Sequence, residues 1–65
     1  MEMEKEEIIK MRDIFQKSTD ILNDVVTLFD KLDKTKDEKE LKKLQDKIEE
    51  KTGLFAMQMF KIQNL

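Results

Sequence analysis

The sequence predicts an all-α fold: an antiparallel two-helix hairpin, coiled-coil-like, that dimerises into a four-helix bundle. Three observations predict it. Apolar residues recur at three- and four-residue intervals over two long stretches, a wholly polar stretch separates them, and the 65 residues include no proline and one glycine. A chain of this length has room for one core, so residues 1–65 are read as a single domain. Charged residues make up 43% of it, which gives each helix a solvated face, and the 38% of apolar residues supply the buried one.

Helix one is expected over about residues 3–32. With Ile8 as position a of a heptad, the a row is Ile8, Phe15, Leu22 and Phe29, and the d row is Met11, Ser18, Val25 and Leu32. Ile14, Ile21 and Leu28 add a g row. Three rows make a stripe wider than one neighbouring helix covers, since a two-stranded seam uses two. The a and d rows are therefore assigned to the hairpin core, and the g row to a second interface.

The stripe ends at Leu32. Asp33 to Asp37 carries no apolar residue, which sets a turn at 33–36. Thr35 and Glu38 have the spacing of a capping box, and Asp37, Glu38 and Glu40 put negative charge where the dipole of a new helix favours it. Helix two is expected over about 36–63, with Leu41, Leu44, Ile48, Phe55 and Ile62 facing helix one. Ile21 then opposes Ile48, Val25 opposes Leu44, and Leu28 opposes Leu41. The same register sets Ser18 against Lys51, a polar layer next to Gly53. Gly53 leaves two readings, a continuous helix or a break at 52–53; the rhythm from Ile48 through Phe55 to Ile62 crosses it without a slip and favours the first.

Leu54 to Leu65 differs from the rest of the chain, with eight apolar residues in twelve. At about 100° per residue they go round the whole helix, and a helix apolar on all sides has to be covered on all sides. Leu54, Met57, Met59, Phe60 and Leu65, with Ile14, Ile21 and Leu28, are therefore assigned to an oligomer or partner interface. A second copy of the chain is the first expected occupant, a dimer above other orders. One protein partner is the second. A membrane surface ranks last, because a flanking basic cluster and a tryptophan are missing.

Composition excludes much chemistry. With no Cys and no His there is no thiol nucleophile, no imidazole base and no zinc set, so no enzyme, cofactor or metal is expected. The acidic cluster Glu2, Glu4, Glu6 and Glu7 reads as helix-start electrostatics. Ser18 and Thr19 lack a base to activate them, and Ser18 reads as a small core residue. Lys36, Lys39, Lys43 and Lys47 form a drifting stripe that could track phosphates. Interleaved acids and the single Arg favour a solvated face instead, so nucleic acid is not the expected partner. No apolar run is long enough to span a bilayer, and the opening Met1 to Lys5 is unlike a secretory signal. A cytoplasmic location is expected.

Twelve lysines to one arginine, with one alanine, is the composition of an AT-rich genome such as that of a low-GC bacterium or its phage. No sequence motif ties the chain to a family. The functional expectation is a small non-enzymatic hairpin that self-associates and works by protein–protein binding, as an adaptor, inhibitor or regulator. A nucleic-acid-binding hairpin dimer and a structural assembly subunit or small helical chaperone are the alternatives.

Overall fold

The computed structural model describes residues 3–65. Two helices, α1 (Lys5–Lys34) and α2 (Glu38–Gln63), pack against each other as a hairpin. The molecule is a rod of 53 × 16 × 13 Å. Glu2, first of the expected acidic cluster, lies outside the described residues, as does Met1.

Local chemistry sets the helix ends. Glu6 and Glu7 occupy the first turn of α1, and Lys31 and Lys34 the last, each sign where the dipole favours it. Thr35 closes α1: its amide donates to the Leu32 carbonyl (3.2 Å) and its hydroxyl to that of Lys31 (2.6 Å). The hydroxyl is thereby committed to α1, and the expected Thr35–Glu38 capping box does not form. Asp37 caps α2 instead, its carboxylate accepting from the Lys39 amide at 3.1 Å. The link is thus Thr35–Asp37, and Lys36 sits in it ahead of α2.

α2 runs unbroken through Gly53, whose backbone is not in a positive-φ conformation. An added Cβ there would meet nothing within 4 Å. Gly53→Ala is therefore expected to raise stability by about 1 kcal/mol, the full helix-propensity difference, because the new methyl displaces nothing. A thermal melt at fixed concentration that shifts downward would contradict this.

The seam uses the rows that the register opposes to α2, and leaves out the a row that the heptad assigned to it. Ile21 and Leu44 are the buried apolar side chains, 6% and 8% exposed. Met11, Ile14, Val25, Leu28 and Leu32 on α1, and Leu41, Ile48, Phe55, Met59 and Ile62 on α2, are half-buried around them. The d and g rows of α1 thus face α2, so Ile14, Ile21 and Leu28 belong to the hairpin core. Ile8, Phe15, Leu22 and Phe29, assigned above to that core, are instead between 45% and 51% exposed. Bulk is the physical reason. Helices in contact lie about 8–10 Å apart, a gap that aliphatic side chains fill and two phenylalanines on one row would widen.

Ser18 (3% exposed) and Gln58 (5%) are as buried as any apolar side chain in the seam. The Ser18 hydroxyl donates to the Ile14 carbonyl at 2.7 Å, and among the described residues no buried side-chain nitrogen or oxygen lacks a partner. Lys51 is half-buried and sends its Nζ to Asp24 Oδ2 at 3.1 Å. Asp24 lies nearer the link than Ser18, the residue that the sequence register opposes to Lys51. Helical side chains lean toward their own N-terminus, which for α2 is the link end, so a long α2 side chain meets α1 further along in that direction.

Candidate interaction surface

The choice of seam decides what the hairpin presents on either side. In both helices the residue that follows a seam residue is rotated about 100° in the same sense along its own chain. Because the helices run antiparallel, these rotations converge on one flank. There α1 carries Phe15, Leu22 and Phe29, which follow Ile14, Ile21 and Leu28. α2 carries Gln45, Thr52 and Met59, which follow Leu44, Lys51 and Gln58. None of the six is charged. Outside the α1 row runs a second one, Arg12, Thr19, Val26 and Asp33, all exposed, with charge only at its two ends.

The other flank carries the residues that precede the seam: Lys17, Asp24 and Lys31 on α1, Lys43, Lys47 and Glu50 on α2. Asp24, Lys31, Lys47, Glu50 and Lys51 indeed line one open groove between the helices. The Asp24–Lys51 pair closes across it, and at 57% and 36% side-chain exposure it contributes at most about 1 kcal/mol. One flank of the rod is therefore ionic, and the other is free of charge next to the seam, with Arg12, Asp33, Lys42 and Glu49 further out.

A second apolar patch sits toward the C-terminal end of α2. Phe60 is 66% exposed, and Leu54, Met57 and Leu65 are exposed around it. Met59 is half-buried on the flank of Phe15, Leu22 and Phe29. Of the residues assigned from sequence to an interface, Leu54, Met57, Phe60 and Leu65 thus point outward, whereas Ile14, Ile21 and Leu28 contact α2. The outward α1 row of Phe15, Leu22 and Phe29 escaped that assignment because the a–d and d–g pairings share the same 3-4 spacing. The bulk of the two phenylalanines was the available signal.

The lysine stripe is not a continuous basic face. Lys36 lies in the link, and Lys43 pairs with Glu40 at 3.8 Å. Lys39 and Lys43 border a surface depression together with Glu38 and Asp46, so each patch of positive charge is offset by neighbouring carboxylates. Among the described residues no three acidic side chains are grouped to hold a metal ion, and no helix is long and apolar enough to cross a membrane. The chain matches no protein-family model, no curated protein and no solved structure.

Proposed function

We propose that this chain works by binding and not by chemistry: a non-enzymatic helical hairpin that pairs with a second copy into a four-helix bundle and, so assembled, acts on another protein as an adaptor, inhibitor or regulator. One observation carries the first half of this reading, the row of large apolar side chains that the hairpin leaves outside its own seam. Ile8, Phe15, Leu22 and Phe29 run along nearly the whole of α1, and each is close to half exposed. A row of four large apolar side chains left this exposed on a small chain marks an interaction site.

Surface area points the same way. The hairpin exposes 5630 Å², whereas a compact monomer of 7.8 kDa would expose about 4,400 Å². The surplus of roughly 1,200 Å² exceeds the ~800 Å² that each partner buries in a standard interface. Pairing two rods side by side removes such a surplus. The Phe60 patch on α2 is a further exposed apolar surface, and a different protein would occupy it. A chain without cysteine needs no oxidising compartment, which fits a cytoplasmic site of action.

The expected result is a concentration-dependent mass that reaches twice 7.8 kDa in sedimentation equilibrium, with full helicity by circular dichroism. A monomer mass up to millimolar concentration, in a fully helical chain, would overturn self-association.

A further inference from the structure

We propose, resting on the self-association above, that the second copy docks antiparallel along the exposed apolar row of α1 on a two-fold axis at Leu22, with Phe15 against the partner's Phe29 and Arg12 beside the partner's Asp33. Phe15 and Phe29 stand seven residues on either side of Leu22, so an antiparallel copy centred there brings the phenylalanines together twice and Leu22 onto itself. The outer row is centred half a residue further on, between Leu22 and Asn23, so its pairs sit about 1.5 Å out of step with the apolar row. Thr19 falls beside the partner's Val26, and Arg12, near one end of α1, beside Asp33 at the other. A two-fold interface uses each contact twice, so this one arginine and one aspartate make two ion pairs.

The arrangement fits a second copy better than an unrelated partner because the charges are ordered about the axis of the apolar row. Within one chain Arg12 and Asp33 cannot meet: 21 positions on one helix hold them about 31 Å apart. Arg12 bonds the adjacent Asp13 at 3.0 Å, both side chains being more than half exposed, and neighbours in sequence do not face each other on a helix. The guanidinium can turn to a facing carboxylate at little cost. Docking on the apolar row also avoids bringing the Lys43, Lys47 and Glu50 face of one copy onto that of the other.

Charge reversal tests this pairing. Both residues are exposed, so Arg12→Asp and Asp33→Arg should leave the fold intact. Each is expected to weaken the dimer roughly ten-fold in sedimentation at low salt, through two like-charge contacts per dimer, and the double variant is expected to restore it. Because the chain has no native cysteine, a second measurement is direct. Leu22→Cys, set on the axis, should oxidise to a cross-linked dimer, and Phe60→Cys should not. If the chain dimerises but charge reversal changes nothing and only Phe60→Cys cross-links, the α1 interface falls while self-association stands. If every form is monomeric, both fall.

Discussion

Ile21→Ala is expected to lower the unfolding free energy by about 2–4 kcal/mol, the range for truncating a buried aliphatic side chain in a core that cannot fully collapse onto the gap. Ile21 is 6% exposed at the middle of α1, and Leu44 is the other apolar side chain of the seam as deeply covered. A two-helix seam has no second layer from which a neighbour can move in. In a chain of this size such a loss is a large share of the total stability. Urea unfolding followed by circular dichroism at one chain concentration checks it, and a loss under 1 kcal/mol would mean that the seam lies elsewhere. Leu22→Ala, one residue on, is the contrasting case. Its side chain is 45% exposed, so the cost within a single hairpin is smaller, and any further cost that grows with chain concentration reports contact with another copy.

Ser18→Leu is expected to cost about 1–3 kcal/mol, because the position has space for a hydroxyl and not for a branched four-carbon group. Ser18 is 3% exposed, and its hydroxyl only doubles a bond onto the Ile14 carbonyl of its own helix. Removing the hydroxyl therefore sacrifices little. Ser18→Ala should be neutral or slightly stabilising, since a back-bonded serine inside a helix gives up propensity relative to alanine. Melting temperatures of the two variants at equal concentration separate a size requirement from a hydrogen-bond requirement. A destabilised alanine variant with an unaffected leucine variant would reverse the interpretation.

Much of the architecture was legible from spacing alone. Apolar residues at 3-4 intervals marked both helices, and the charged stretch after Leu32 marked the link between them. Ser18 was readable as a small residue in the seam, because it interrupts an otherwise apolar d row. The face of α1 that meets α2 was legible only in part: the register set Ile21, Val25 and Leu28 against α2, while the heptad put the a row there as well. The a–d and d–g pairings have identical spacing, and the choice depends on side-chain volume across a gap set by the other helix. The same dependence hid the outward row of Phe15, Leu22 and Phe29, which exists only once the seam is known. At the link, Thr35 and Asp37 are both good caps, and the 2.6 Å bond from Thr35 to Lys31 leaves Asp37 to start α2.

The three-residue link has a kinetic consequence. Contacts next to it, such as those around Leu32 and Leu41, close a loop of only a few residues, whereas Met11 and Ile62 at the open end are separated by most of the chain. Since loop closure grows costlier with separation, pairing begins at the link and proceeds outward, each formed turn shortening the loop for the next. The open end is then the last to zip and the first to fray. It holds Phe55, Met59 and Ile62, together with the exposed Met57 and Phe60, so the most apolar part of α2 belongs to the half of the rod that parts most readily.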